Sequence, residues 1–119
     1  MIDGIGIDII EVERIAGAIH SERFVARVFT AAEVVECRGR GCPEQRFAGR
    51  FAAKEAIAKA LGRSLRWREV EIRTGLRGAP EAVLTGRAAA LLAGRSVRIS
   101  ISHCHSHAVA QAVVERNEP

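Results

Sequence analysis

The chain has 119 residues, 48% of them hydrophobic and 27% charged, a balance that suits one compact core and excludes a disordered or fibrous protein. Eighteen Lys and Arg against fourteen Asp and Glu leave a net charge of +4, which favours anionic partners such as a nucleic acid, a phosphorylated cofactor or an acidic protein. Tyr is absent and aromatics make up 4%, which argues against a surface that stacks single-stranded bases. No apolar run approaches the ~20 residues that span a bilayer, and the start Met-Ile-Asp lacks a basic leader. Cys37, Cys42 and Cys104 are too sparse for a disulfide framework. A soluble protein of the reducing cytoplasm is expected.

In chain order, residues 2–10 (IDGIGIDII) carry Ile at 5, 7 and 9 with small or acidic residues between, the period-2 pattern of a strand that turns Asp8 away from those isoleucines. Val12, Ile15, Ile19, Phe24 and Val28 then suit one or two short helices, interrupted near His20 and Ser21. TAAE at 30–33 is a capping box that starts a further helix. Gly39, Gly41 and Pro43 end it, and Pro43 opens a long helix that runs to Leu61 and stops at Gly62. Phe47, Phe51, Ala58 and Leu61 share one side of that helix, with Ala53 and Ile57 beside them, so much of its circumference is expected to be buried. A strand over 67–74, a turn over 76–80 and a short partner over 82–84 follow. A helix over about 85–93 ends at Gly94, and 97–103 with 107–115 form a terminal hairpin. The fold class is α+β: one domain over 1–119, an antiparallel sheet with a long packed helix.

Three side chains stand out. Asp8 ends a hydrophobic strand, where a carboxylate has no packing role and is costly to bury unpaired. Glu55 and Lys59 lie four apart on the long helix, which by itself describes an ordinary surface ion pair. Two carboxylates from separate elements can also hold Mg²⁺, which takes hard oxygen ligands and fills its remaining positions with water and phosphate. A lysine beside it can neutralise a transferring phosphoryl group.

GIGIDIIEVERI at 4–15, FTAAE at 29–33, RFAGRFAAKEAIAKALG at 46–62 and SISH at 100–103 occur in an order and at spacings that resemble the holo-acyl-carrier-protein synthases, the short phosphopantetheinyl transferases. The resemblance covers nearly the whole chain. It implies that 4′-phosphopantetheine passes from coenzyme A to a serine of an acyl carrier protein, with Asp8 and Glu55 as Mg²⁺ ligands and Glu55 and Lys59 as the catalytic pair. It also implies that Arg50, Lys54, Lys59, Gly62, Pro80, Ser102 and His103 line the coenzyme A cleft. Arg14, and by proximity Arg23 and Arg27, resemble the basic helix that receives the acidic carrier protein. The expected partners are coenzyme A, the carrier protein and copies of the chain itself in a homotrimer, with neither nucleic acid nor a membrane among them. Where the family commonly has Gly-Thr-Gly this chain has Gly62-Arg63-Ser64, and where a small serine is common it has Ala58.

Within the terminal hairpin, Val97, Ile99, Ile101, Val109 and Val113 form one class of alternating positions. Ser100, Ser102, Ala108, Ala110 and Ala112 form the other. The small class permits close approach of another layer, either the protein's own helix or a neighbouring chain, and the trimer implied by the resemblance favours the neighbour. Two other readings compete. His103, His105 and His107 with Cys37 and Cys42 suggest zinc, though their spacing is unlike structural zinc pairs. Arginines at 38, 40, 46 and 50 suggest a nucleic-acid-binding module, though no helix-turn-helix, RNP or finger pattern accompanies them.

Overall fold

The computed structural model describes residues 1–117, so the last two positions of the expected 1–119 domain lie outside the described residues. Strand β1 (Ile2–Glu11) leads into helices α1 (Val12–Ala18), α2 (Glu22–Val28) and α3 (Ala31–Arg38), then the 19-residue α4 (Pro43–Leu61). A 3₁₀ turn (Trp67–Glu69) precedes the hairpin of β2 (Val70–Thr74) and β3 (Pro80–Leu84). Helix α5 (Gly86–Leu92) and the pair β4 (Ser96–His103) and β5 (His107–Glu115) complete the chain.

Local chemistry sets most of these boundaries. Ser21 breaks α1 from α2 because its hydroxyl accepts from the Phe24 N–H at 3.2 Å, capping a donor the helix cannot satisfy itself. The capping box at α3 is complete: Thr30 Oγ1 accepts from Glu33 N at 3.2 Å while Glu33 Oε1 accepts from Thr30 N at 2.9 Å. Gly62 ends α4 at φ +70°, a left-handed geometry that costs a glycine nothing. The strand expected over 67–74 begins only at Val70, because the first three residues tighten into the 3₁₀ turn.

The main sheet has the order β1-β5-β4, all antiparallel, and β2 pairs with β3 apart from it. Asp8 stands opposite Ala110, and Ala110 opposite Ile101. The inner face therefore carries Gly4, Gly6, Asp8 and Ile10 from β1, Ala108, Ala110, Ala112 and Val114 from β5, and Val97, Ile99 and Ile101 from β4. Helix α4 lies across this face, burying Ala52, Ala53, Ala56 and Ile57. A Cβ on Gly6 would overlap the Ala56 carbonyl oxygen, and one on Gly4 the Ala60 carbonyl oxygen. Glycine and alanine on both layers thus allow an approach that larger residues would block.

This register overturns one expectation. The small residues Ala108, Ala110 and Ala112 pack against the chain's own helix, and they share a face with the bulky residues of β4. The face left open is the outer one, where Ile5, Ile7 and Ile9 are 59%, 61% and 65% exposed. On the far side of α4, Phe51 stacks on Trp67 with ring centroids 4.9 Å apart, and Phe29 meets Phe47 edge-on at 4.8 Å. No helix among the described residues is long and apolar enough to cross a membrane.

Candidate active site

Asp8 reaches the site because β1 is stripped of side chains before it: Gly4 and Gly6 bring the strand onto α4, and the next inward position presents the carboxylate to the helix. Lys59 completes the contact, its ammonium donating to Asp8 Oδ1 at 3.2 Å and to the Ile7 carbonyl at 3.0 Å. The ordinary i,i+4 partnership with Glu55 is thereby replaced by one across elements. Glu55 is half-buried, and burial followed by the Asp8 charge pushes its carboxyl above the usual carboxylate value, with Lys59 opposing.

Two cavities meet at Glu55. One, of about 490 Å³, is bordered by Glu55, Ala58, Lys59, Gly62, Arg63 and Arg66. The other, of about 610 Å³, holds Asp8, Glu11, Arg14, Phe51, Glu55 and His107 in its wall. Asp8, Glu55 and Lys59 together carry one net negative charge in a partly desolvated spot, an excess that a cation relieves. Hard carboxylate oxygens on two rigid elements fit Mg²⁺, which commonly takes one or two protein carboxylates and leaves the rest of its shell to water and phosphate.

The remaining residues named from sequence divide into groups. Arg50, Pro80 and His103 come together with Arg46 and Arg73 around a small cavity of about 170 Å³ at the other end of α4. The Arg50 side chain is buried, lies 3.8 Å from Glu36 through one terminal nitrogen, and leaves its Nε without a partner. Arg50 and Lys59 are nine residues apart on one helix, ~14 Å along its axis, so a single chain keeps these cationic groups separate. Ser102 is exposed, level with Val109 on the outer sheet face. Arg14 borders the cavity at Asp8, and Arg23 and Arg27 are exposed on α2.

Lys54, also named for the cofactor cleft, borders the Glu55 cavity from inside the fold. Its ammonium is buried and donates to Glu33 Oε1 at 2.7 Å, the Val28 carbonyl at 2.9 Å and the Trp67 carbonyl at 3.0 Å. All three donors are engaged. Burial pushes the Lys54 ammonium down and the Glu33 charge opposes that shift. Glu33 also accepts from Ile72 N at 2.8 Å, so one ion pair ties α3, α4, the 3₁₀ turn and β2 together. The capping box at 30–33 showed one use of Glu33 but gave no sign of this second one. Arg66 and Arg73 carried no motif and escaped the sequence reading, and Arg46 was noted only as part of a motif and of the arginine run.

The zinc reading finds no support: His103 lies at the Arg50 cavity, apart from Cys42, His105 and His107, which border a different cavity. Cys37 is buried, its thiol pushed up by burial to about 11. Among the described residues no group of three or more His, Cys, Asp or Glu is gathered as a metal would need. Within the arginine run only Arg50 is buried, Arg40 and Arg50 both approach Glu36, and Arg46 is bonded to the Gly41 carbonyl at 3.2 Å.

Comparison with known proteins shows the family and the fold. A family model described as the 4′-phosphopantetheinyl transferase superfamily matches residues 4–112. A holo-[acyl-carrier-protein] synthase of Protochlamydia amoebophila is 46% identical over 116 residues, covering 92% of this chain and 95% of that protein. One from Moorella thermoacetica is 45% identical over 117 residues, covering 92% and 91%. Among solved structures, the holo-[acyl-carrier-protein] synthase of Neisseria meningitidis superposes with a TM-score of 0.88 at 34% identity, over 98% of this chain and 100% of that one. That of Bacillus anthracis, in complex with CoA (3′,5′-ADP), gives 0.85 at 36% identity over 98% and 99%.

Proposed function

The chain belongs to the 4′-phosphopantetheinyl transferase superfamily, and from that premise we propose how its residues perform the reaction of a holo-acyl-carrier-protein synthase. The reaction moves 4′-phosphopantetheine from coenzyme A to a serine of apo acyl carrier protein. The serine oxygen bonds to the phosphorus that bears the pantetheine arm, the bond from that phosphorus to the bridging oxygen breaks, and adenosine 3′,5′-bisphosphate leaves. The observation that carries the reading is the meeting of Asp8, Glu55 and Lys59 between two cavities.

Asp8 and Glu55 would hold Mg²⁺, which when bound supplies Lewis-acid stabilisation to the phosphoryl oxygens. Lys59, fixed at one side by Asp8 and the Ile7 carbonyl, offers its remaining ammonium proton to the same charge. Glu55 borders both cavities and is placed to take the serine proton as the new bond forms. Arg14, exposed at the rim of the Asp8 cavity, and the exposed Arg23 and Arg27 of α2 supply positive charge suited to an acidic carrier protein.

The enzyme works as a homotrimer in which one chain supplies Asp8, Glu55 and Lys59 and its neighbour supplies Arg46, Arg50, Pro80 and His103. Three observations support this: the two cationic groups are separate within one chain, the Arg50 Nε has no partner, and Ile5, Ile7 and Ile9 are exposed. A cytoplasmic location fits the free thiols of Cys42 and Cys104, both exposed.

The test is to incubate the chain with coenzyme A, Mg²⁺ and apo carrier protein and weigh the intact products. A carrier protein heavier by one phosphopantetheine is expected, and none is expected in EDTA. An unmodified carrier protein with Mg²⁺ present would overturn the reading.

A further inference from the structure

After Gly62 the chain reverses, with Arg63 N donating to the Ala58 carbonyl at 3.1 Å, and descends through Ser64 and Leu65 to Trp67. This turn brings Arg63 and Arg66 into the wall of the cavity that also contains Glu55 and Lys59. Both arginines are exposed, and neither guanidinium makes a hydrogen bond or ion pair with any described residue. Several other arginines are matched inside the fold: Arg95 and Arg116 on Asp3, Arg98 on Glu115, Arg73 on Glu71. Below the two free guanidinium groups the cavity has an apolar floor of Ala58, Leu65 and Val70.

Charge gives this arrangement a purpose. Asp8, Glu55 and Lys59 sum to one negative charge, and the Lys59 ammonium is already shared with Asp8 at 3.2 Å. Coenzyme A arrives as a polyanion, with a diphosphate bridge and a 3′-phosphate ester. Even with Mg²⁺ on Asp8 and Glu55 these side chains offer little net positive charge to such a polyanion, whereas Arg63 and Arg66 add two cationic groups to the cavity wall, and planar guanidinium groups match phosphate oxygens two at a time. We propose that Arg63 and Arg66 form an anion subsite that holds a phosphate group of coenzyme A beside the reacting one. The proposal rests on the transferase reading of the site, and it assigns to this chain's own Gly-Arg-Ser turn a binding role.

The experiment uses the full chain with Arg63→Gln and Arg66→Gln, saturating carrier protein and varied coenzyme A. Each variant should raise the KM for coenzyme A about tenfold, the worth of one charge-assisted hydrogen bond. The kcat should stay within about twofold, since ground state and transition state lose the same contact. The KM for the carrier protein and the melting temperature should not move. Adenosine 3′,5′-bisphosphate titrated calorimetrically should lose affinity in parallel. With 3′-dephospho-coenzyme A as donor, a penalty that disappears places the 3′-phosphate in the subsite, and one that persists places the diphosphate there. Both outcomes support the subsite. An unchanged KM for coenzyme A in both variants, or a rise confined to the carrier protein, overturns it. Absence of transfer by the unaltered chain would instead strike the transferase reading itself.

Discussion

Asp8 and Glu55, the proposed metal ligands, show at the scale of a single residue how a side chain placed for chemistry differs from a packed one. Asp8 occupies an inward position that any small residue could fill, since Gly6 precedes it on the same face of β1 and Ala110 stands opposite it on β5. Glu55 is held where burial and the Asp8 charge both work against its ionised form, so the fold gains nothing from that charge. Asp8→Ala and Glu55→Ala should each slow transfer by about a hundredfold or more, the usual scale for losing one electrostatic contact to a developing charge. Both variants should unfold cooperatively within a few degrees of the parent. Initial rates and thermal melts on the same samples check this, and undiminished turnover in either would remove both carboxylates from the chemistry.

Helix α4 shows how much the sequence could reveal about an element and where its information ended. Pro43, Gly62 and the capping box before α3 fix boundaries by local backbone chemistry, so these were legible residue by residue. The rotation of α4 about its axis was not, because Lys54 and Glu55 are adjacent, ~100° apart around the helix, and the sheet decides which of them faces inward. Lys54 goes inside to Glu33, and Glu55 goes to Asp8. Lys54→Ala should cost about 3–5 kcal/mol in urea unfolding because it strands the Glu33 carboxylate, whereas Glu33→Leu with Lys54→Met should recover most of that loss. A mild single-mutant effect would mean that water reaches the pair.

The hairpin faces escaped for a related reason. Val97 pairs with Val114 and His103 with Ala108, so odd positions of β4 sit beside even positions of β5. Alternation within a strand cannot supply that parity; the turn does. The α3–β2 junction adds an acid sensitivity. Thr30 Oγ1 donates to Glu71 at 2.6 Å and Thr74 Oγ1 to Glu36 at 2.8 Å. These bonds, with nearby arginines, hold both carboxyls below their ordinary value of 4.5. Their contribution is present above that value and is lost as pH falls through the lowered ones. The melting temperature should therefore drop below about pH 4.5, and Glu36→Gln with Glu71→Gln should lower it at pH 6 while flattening the acid decline. An equally steep decline in the double variant would place the acid sensitivity elsewhere.

For the whole molecule, the decisive surface is the outer face of the main sheet. Ile5, Ile7 and Ile9 with Val109 and Val113 make an apolar strip of the kind that a lone soluble chain seldom displays. Ile7→Asp should convert the proposed trimer to single chains in light scattering and abolish transfer at low enzyme concentration, with secondary structure retained. A monomeric parent of full activity would end the shared-site idea. Ala110→Arg tests something different, because Ala110 is buried between β5 and α4, so that change should unfold the chain before assembly is in question.

Cys37, on α3, is fully buried with its thiol pushed up to about 11, while the thiols of Cys42 and Cys104 face solvent. The molecule therefore carries its own labelling clock. On mixing with an alkylating reagent, two thiols should be tagged at once and the third only during rare openings of the fold, slower by about a thousandfold or more for a domain of ordinary stability. The mass spectrum that scores phosphopantetheine on the carrier protein would also time those openings, so each variant above could be judged inactive or merely unfolded from a single tube.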